Sequence, residues 1–296
     1  QRAGEFGIKV PSGVEVDFAA AMERMRLLRA KISPADSAER FRSLGVDVFF
    51  GQGKFVLSDT VEVSDKKLRF KKGVIATGAR AAAPPIPGLD SVEYLTNETV
   101  FSLTELPKRL GVIGAGPIGC ELAQSFAQFG SEVFLVEATH GILPREDQAA
   151  AAIVKDGLLG SGVKLLCCGK ELQISPGENC KVRLRVESHD TGYDEEVDEL
   201  LIAVGRAPNV EGLGLESVGV EFDPQTGVKV DDHSRTTNPR IYAAGDVCSN
   251  FKFTHAADFM ARNVIRNALF LGRAKTSSLL IPWSTYTSPE IAHVGL

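Results

Sequence analysis

The chain has 296 residues and a formal net charge of −5, and 44% of its residues are hydrophobic. This length is sufficient for two domains, and the composition is typical of a soluble globular protein. The acidic balance argues against a nucleic-acid partner. No apolar run reaches the length of a membrane span and no signal peptide opens the chain, which argues against a membrane protein.

The first part of the chain predicts two helices followed by short strands. Asp17 is the candidate cap of a long helix. Ser33-Pro34 predicts an N-cap followed by Pro at the first helical position, which restarts a helix that ends at Gly45. From residue 46 to residue 74 the pattern changes to short strands separated by turn-forming Gly, Ser and Asp. These strands are VDVFFG, GKFVLS, TVEVS and KLRFK, and GVIATGAR follows them. The proline-rich stretch 81–88 is interpreted as a connection between domains.

Residues 109–137 carry the strongest motif. A short apolar strand leads into three glycines with G-x-G-x-x-G spacing, Gly114, Gly116 and Gly119, and a helix that stops at Gly130 follows them. In a dinucleotide-binding unit the first glycine permits the tight turn, the second lets the backbone approach a pyrophosphate, and the third lets the helix pack on the strand. The helix N-terminus presents unpaired N–H groups to the phosphates. The alternative is a glycine-rich turn with no ligand, but the strand–turn–helix–strand context favours a nucleotide site.

An acidic residue at the end of the next strand indicates which cofactor binds. Glu137 lies close to the position, about 20 residues past the glycines, where a carboxylate accepts hydrogen bonds from the ribose hydroxyls of NAD. The following residues 138–141 supply no arginine for a 2′-phosphate, although Arg145 could reach the site. The sequence therefore favours NAD over NADP.

Beyond Glu137 the pattern alternates between strands and helices. Strands are predicted at 163–167, 182–187, 196–204, 227–230 and 241–244, and helices at 145–159 and 256–271. Asp246 follows the strand 241–244 directly. Its carboxylate could receive a sugar hydroxyl or steer a phosphate chain, or it could equally be a helix cap.

Five cysteines are present, and none forms a C-x-x-C or a recognisable zinc pattern. Cys120 is expected to be a small buried residue of the glycine-loop helix. Cys167 and Cys168 are interpreted as strand residues facing opposite ways, with a vicinal redox pair as the alternative. We expect no metal site. The odd count, with no disulfide framework, fits a cytoplasmic location.

Four segments together resemble the class I pyridine nucleotide-disulfide oxidoreductases. They are IATGAR, GAGPIGCE, AVGRAPN and TTNPRIYAAGDV, and they stand in the order of that family. The ending TYTSPEIAHVGL is similar to the entry into the family's dimerisation domain. The opening helix and the glycine-loop region look most like the branch of mercuric reductases and dihydrolipoyl dehydrogenases.

The resemblance implies an α/β architecture with a Rossmann-like fold that binds two dinucleotides, in which an NAD(P) domain is inserted in an incomplete FAD domain. The implied divisions are a first portion of the FAD domain with its linker at 1–106, the NAD domain at 107–230, a second FAD portion at 231–272, and the start of a dimerisation domain at 273–296. A homodimer is expected for the full-length parent.

The resemblance also assigns residues to the two cofactors. For NAD they are Gly114, Ala115, Gly116, Pro117, Ile118, Gly119, Glu121, Glu137, Gly205 and Arg206, with Glu121 near the nicotinamide. For FAD they are Gly53, Thr77, Gly78, Ala79, Asp246, Lys252, Phe253, Thr254 and His255, the last four at the start of a helix whose dipole can stabilise charge on a reduced flavin.

The departures from the family pattern limit the expected activity. The family's first G-x-G-x-x-G and its C-x-x-x-x-C are absent, so we expect an internal fragment without a catalytic nucleophile. The expected function is that of a flavoprotein oxidoreductase passing hydride from NAD(P)H to FAD, and in the parent on to a redox disulfide and a small-molecule disulfide or metal-ion substrate. The alternatives are a catalytically incomplete NAD(H)-binding module and a flavin NADH oxidase without disulfide chemistry.

Overall fold

The computed structural model describes residues 4, 6–11, 13–138 and 141–295. The chain forms two compact units. The first consists of residues 1–33, 81–205 and 284–293, and the second of residues 34–80, 206–283 and 294–296. Thr139 and His140, two of the residues near Glu137 that supply no arginine, lie outside the described residues. The division into four domain segments stays a prediction.

The described residues contain the following helices and strands. The helices are α1 Phe18–Ile32, α2 Ala38–Ser43, α3 Pro117–Phe129, α4 Gln148–Gly160 and α5 Thr254–Leu269. The first nine strands are β1 Gly53–Leu57, β2 Thr60–Val63, β3 Lys66–Arg69, β4 Gly73–Ile75, β5 Ala79–Ala81, β6 Arg109–Ile113, β7 Glu132–Val136, β8 Lys164–Leu166 and β9 Lys170–Pro176. The remaining strands are β10 Val182–Ser188, β11 Thr191–Val197, β12 Glu199–Ile202, β13 Arg206–Pro208, β14 Phe222–Asp223, β15 Gly227–Val228, β16 Ile241–Ala243, β17 Trp283–Thr285 and β18 Ile291–His293.

The first unit is built on a parallel sheet in the order β12-β6-β7-β8. Strands β6 and β7 are almost continuously apolar and buried, as expected for a parallel sheet covered on both faces. Helices α3 and α4 supply the core on one face. On the other face the antiparallel meander β9-β10-β11 packs its apolar side chains against the sheet. The result is a three-layer unit, and the carboxyl ends of β6 and β7 form the edge at which open α/β sheets generally bind ligands.

Helix α1 belongs to the same unit and confirms the prediction of its cap. Asp17 Oδ1 accepts a hydrogen bond from the N–H of Ala20 at 2.9 Å. The Phe18 ring lies 5.8 Å from that of Phe126 and 5.5 Å from that of Phe129, measured between ring centroids. This aromatic cluster fixes the start of α1 on the back of the glycine-loop helix α3.

The second unit contains the parallel pair β4 and β16, the meander β1-β2-β3 and the hairpin β14-β15. Helix α5 packs on β16 through Met260 and Val264, which contact Tyr242 and Ala244. This arrangement places the N-terminal turn of α5 beside the carboxyl end of β16.

Several predicted elements are wrong in type or boundary. The segment VDVFFG is not a strand; it pairs with no described strand, and its Phe50 side chain is 70% exposed. Ser33 is not an N-cap, because it keeps helical backbone angles at the end of α1; Ser37 takes that role and its Oγ accepts from the N–H of Arg40 at 3.1 Å.

Two further strands differ from the prediction. The strand predicted at 196–204 divides at Asp198, because β11 pairs with the meander while β12 pairs with β6. GVIATGAR divides into β4 and β5, because Thr77 leaves the sheet and its Oγ1 donates to the carbonyl of Asn209 at 2.7 Å. Strand β9 was not predicted at all. Among the described residues, no helix combines the length and apolar character needed to cross a membrane.

Candidate functional site

The glycine loop connects β6 to α3 in the first unit, and its three glycines meet different surroundings. Gly114 has a φ of +102°, and a Cβ there would lie 2.6 Å from the carbonyl oxygen of Ala203. A Cβ on Gly119 would lie 1.9 Å from the carbonyl oxygen of Gly114. A Cβ on Gly116 would meet no described atom within 4 Å. The structure thus gives Gly114 the tight turn and Gly119 the close packing expected from their spacing, and leaves open space at Gly116.

The start of α3 supplies the polar groups of this loop. The helix begins at Pro117, whose ring occupies a position that needs no N–H donor, and no acidic side chain stands in its first turn. Helix geometry leaves the first N–H groups of α3, those near Ile118, without an intrahelical acceptor. A helix N-terminus of this kind attracts anions through its N–H groups and its dipole.

Glu137 follows β7 and closes the loop from the side. Its Oε2 accepts a hydrogen bond from the N–H of Ala115 at 2.7 Å. The backbone carbonyl of Glu137 accepts a second hydrogen bond, from the N–H of Gly169 at 2.8 Å. The predicted ribose-binding carboxylate is therefore held at the edge of the glycine loop.

Two neighbouring residues of α3 are buried to different degrees. Cys120 is fully buried, and burial raises the pKa of its thiol to about 12, so it stays protonated at neutral pH. This agrees with a packing role. Glu121 is half-buried, and burial raises the pKa of its carboxyl although the N–H of Tyr286 donates to its Oε1 at 2.8 Å.

The second unit has a cavity of about 550 Å³ at the carboxyl end of β16. The residues that line it have small or charged side chains: Ala76, Gly78, Arg206, Ala244, Gly245, Asp246, Lys252, Thr254, Ala257, Asp258 and Ala261. Five of these residues were assigned to cofactors from the sequence. The sequence analysis did not assign the others, which include Ala257 and Ala261. These two alanines are spaced by about one turn of α5, and this spacing could have indicated a helix face with room for a ligand.

Arg206 organises the polar side of this cavity. Its Nη1 donates to Asp246 Oδ2 in an ion pair, and its Nη2 donates to the carbonyl of Ala79 at 2.9 Å. The remaining nitrogen, Nε, is buried without a hydrogen-bond partner among the described residues. Lys252 Nζ donates to the carbonyl of Asp246 at 3.0 Å. A buried donor, two cations and small side chains fit a ligand that carries phosphate or hydroxyl groups.

The remaining flavin-assigned residues do not line this cavity. The Phe253 ring stacks with the His255 ring at 5.5 Å and with the Trp283 ring at 6.1 Å, measured between ring centroids. Gly53 starts β1, where it pairs with Val63. Thr77 and Ala79 bind the 206–209 segment through hydrogen bonds.

The residues assigned to NAD separate into two groups. Gly114 to Gly119, Glu121 and Glu137 come together at the carboxyl edge of the first unit's sheet. Gly205 lies in the first unit, where its carbonyl accepts from the N–H of Ala82 at 3.0 Å. Arg206 lies in the second unit with Asp246. The structure thus groups Arg206 with residues assigned to the flavin, and its NAD role stays a prediction.

One cluster was not expected. Strand β8 ends at Leu166, and Cys168 has a φ of +58°, so the interpretation of Cys167 and Cys168 as strand residues facing opposite ways is wrong. Both thiols turn toward His189, with Cys167 Sγ 3.0 Å from His189 Nε2. The expectation of no metal site rested on local spacing alone, which cannot show a group brought in by a distant turn.

Comparison with known proteins assigns the chain to a family. The family model described as "Pyridine nucleotide-disulphide oxidoreductase" matches residues 18–261. Mercuric reductase from Bacillus cereus is 35% identical over 285 residues, which is 96% of this chain and 45% of that protein. Dihydrolipoyl dehydrogenase from Cupriavidus necator is 32% identical over 99% of this chain and 62% of its own. The chain spans about half the length of the mercuric reductases it matches.

A solved structure extends the match to three dimensions. The HOCl-induced flavoprotein disulfide reductase RclA from Escherichia coli superposes with a TM-score of 0.82 at 32% identity, covering 95% of this chain and 64% of its own. The family model and this superposition confirm the predicted family and the α/β, Rossmann-like fold class.

Proposed function

Because the chain belongs to the pyridine nucleotide-disulphide oxidoreductases, we propose that it binds NAD(H) in its first unit and FAD in its second and serves hydride transfer between them. The single observation that carries the nucleotide half is the glycine loop, where Gly119 and Gly114 touch so closely that no side chain fits, while Gly116 leaves open space. When bound, the two cofactors supply the chemistry, a hydride passing from the nicotinamide to the flavin.

The chain's own residues bind and orient the nucleotide. The N-terminus of α3 holds the pyrophosphate through backbone N–H groups and the helix dipole. Glu137, fixed by the N–H of Ala115, accepts hydrogen bonds from the adenosine ribose hydroxyls and repels a 2′-phosphate. This supports NAD over NADP. Glu121, on the same helix, is proposed to face the nicotinamide side.

The second unit binds FAD through its cavity. Arg206 Nε, buried without a partner among the described residues, is proposed to donate to a polar oxygen of the flavin nucleotide. Asp246 fixes the guanidinium and offers a carboxylate to ribityl hydroxyls. The first turn of α5, which contributes Thr254 to the cavity, places positive dipole potential against negative charge that develops on a reduced flavin.

The onward acceptor is proposed at the level of chemical class. Mercuric reductases, dihydrolipoyl dehydrogenases and a flavoprotein disulfide reductase are all similar to this chain. They support a disulfide or a metal ion as the final electron acceptor of the whole protein. A homodimer and a cytoplasmic location are proposed on the same family ground.

The first test is the visible absorption spectrum of the purified 296-residue protein, followed by anaerobic addition of NADH. We expect a flavin band that bleaches with NADH. If fluorescence titration shows NADH binding but the protein neither carries nor takes up flavin, the function would be that of a nucleotide-binding module alone. Absence of both signals in the folded protein would overturn the proposal.

A second test addresses the choice of nucleotide. In Glu137→Ala we expect NADH affinity to fall about tenfold, because two ribose hydrogen bonds and the fixed position of the loop are lost. The preference for NADH over NADPH should narrow. Glu105→Ala, an exposed acid of the same unit, is the matched control. If the NADH affinity and the preference for NADH over NADPH are unchanged in Glu137→Ala, this carboxylate does not bind the nucleotide.

A further inference from the structure

Two adjacent thiols and an imidazole meet at one corner of the first unit. Cys167 and Cys168 follow β8, and His189 lies in the turn that connects β10 to β11. His189 Nε2 is 3.0 Å from Cys167 Sγ and 3.9 Å from Cys168 Sγ, and the three atoms all lie within 4.8 Å of one another. None of them belongs to the proposed nucleotide or flavin residues.

Uncommon backbone conformations hold this cluster together. His189 and Asp190 have φ values of +48° and +60°, which close a tight turn between two paired strands. Ser188, buried in this turn, donates from its Oγ to the carbonyl of Cys167 at 2.6 Å. Cys168 also has a positive φ, +58°, which brings its side chain to the same side as that of Cys167. Non-glycine residues in this conformation cost free energy, so the arrangement is maintained by its surroundings.

We propose that Cys167, Cys168 and His189 form a binding site for a thiophilic divalent cation of the Zn²⁺ type, with three protein ligands and an open fourth position. In a tetrahedral site with Zn–S of about 2.3 Å and Zn–N of about 2.0 Å, the ligand atoms stand roughly 3.5–3.8 Å from one another. The two sulfur–nitrogen distances lie on either side of that value. Side-chain shifts of under about 1 Å therefore suffice to place all three ligands around one ion.

The exposure of the three side chains gives an ion a way in. Cys167 is buried, Cys168 is half-buried and His189 is exposed, so the site opens to solvent on its imidazole side. Thiolate and imidazole are the ligands that zinc and other soft or borderline cations select over Mg²⁺ and Ca²⁺. A ligand set of two cysteines and one histidine leaves the fourth position to water or an added thiol.

Protonation of the ligands sets the pH dependence. A cation of this type binds thiolates, so binding displaces the thiol protons to solvent, with no change in oxidation state. Uptake should strengthen as pH rises.

Cobalt(II) is the probe, because its thiolate complexes absorb in the near ultraviolet through sulfur-to-metal charge transfer and its tetrahedral sites give intense visible bands. The full 296-residue chain, kept reduced with a phosphine, is titrated with Co²⁺ and then with Zn²⁺. We expect one Co²⁺ per chain with both signatures, and displacement by Zn²⁺. Mg²⁺ at the same concentration should displace nothing.

Matched variants identify the ligands. The double variant C167S/C168S should lose both signatures, and His189→Asn should keep the charge-transfer band while its affinity falls more than about tenfold. Cys248→Ser removes a thiol in the second unit and should bind Co²⁺ as the unaltered chain does. Circular dichroism verifies that each variant folds.

Three outcomes would overturn the site. They are no charge-transfer band in the unaltered folded chain, an equal band in C167S/C168S, and loss of the band in Cys248→Ser alone. Each would show that cobalt is bound elsewhere or not at all. None of these outcomes bears on NADH or flavin binding, so the site and the proposed function are tested separately.

Discussion

The candidate nucleotide loop of the first unit and the cavity of the second unit are built from different materials. The loop depends on backbone shape: Gly119 packs on Gly114, and the ligand groups are N–H donors of a helix start. The cavity depends on charge: Arg206 is paired with Asp246 and holds a further buried donor. A site made of backbone tolerates no added atom at its contact points, whereas a site made of side chains is sensitive to the loss of a partner. The two units should therefore fail in different ways when they are altered.

The largest effect is expected from adding volume to the loop. In Gly119→Val the Cβ would stand 1.9 Å from the carbonyl oxygen of Gly114, so strand and helix must separate. We expect the free energy of unfolding to fall by more than about 3 kcal/mol, measured by urea denaturation followed by circular dichroism. NADH binding should be lost with the fold of the loop.

Gly116→Ala is the matched control for that change. Its Cβ would meet no described atom within 4 Å, and its φ of −73° suits any residue. Stability should stay within about 1 kcal/mol of the unaltered chain, while NADH affinity falls because the methyl group occupies the space proposed for the pyrophosphate. A Gly119→Val protein as stable as Gly116→Ala would contradict the close packing of the loop.

The same contrast explains how much the sequence could predict. The loop, the helix that ends at Gly130 and the acid at Glu137 were all predicted, because their signals are local: glycine spacing, apolar runs and a terminal carboxylate. Cap residues show the limit of local reasoning. Asp17 was predicted correctly and Ser33 was not, since only the observed backbone angles show that the chain stays helical through Ser33.

Contacts between distant segments were beyond the sequence. Nothing in the AVGRAPN or AAGDV segments shows that Arg206 pairs with Asp246, because the pair depends on how β13 and the end of β16 are placed. Likewise, the turn that carries His189 reaches the thiols only because β10 lies in the meander that covers the sheet. Such pairs become visible only in three dimensions.

A smaller effect is expected from removing charge in the second unit. The side chains of Arg206 and Asp246 are 29% and 12% exposed, so solvent screens the pair only in part. In Arg206→Met the buried carboxylate loses its partner, and we expect the free energy of unfolding to fall by about 1–3 kcal/mol. Flavin retention, read from the visible spectrum after gel filtration, should fall with it.

Two further variants separate charge from packing. Arg206→Lys keeps the charge but replaces the two fixed Nη donors to Asp246 and Ala79 by a single nitrogen, so an intermediate loss is expected. In the double variant R206M/D246N, stability should recover part of the loss, because no carboxylate is left unpaired. Additive losses in the double variant would show that the ion pair contributes nothing, and the contrast between the two units would then disappear.

The smallest effect concerns Glu121, a half-buried acid on the helix that follows the glycine loop. Burial raises the pKa of the Glu121 carboxyl above its ordinary value of 4.5, so between these two pKa values the folded state binds more protons than the unfolded state. The stabilisation that the protonated Glu121 carboxyl contributes is therefore fully present below pH 4.5, and it is lost as pH rises through the raised pKa. In Glu121→Gln the amide oxygen still accepts from the N–H of Tyr286, and this part of the pH dependence should disappear.

Urea denaturation from acidic to neutral pH measures that difference. We expect Glu121→Gln to gain stability relative to the unaltered chain as pH rises, by less than the change caused by Arg206→Met. Glu105→Gln, which replaces an exposed acid of the same unit, is the control and should follow the unaltered chain at every pH. If Glu121→Gln loses stability as pH rises, the carboxylate is favoured by its surroundings, and the first unit depends on charge as the second does.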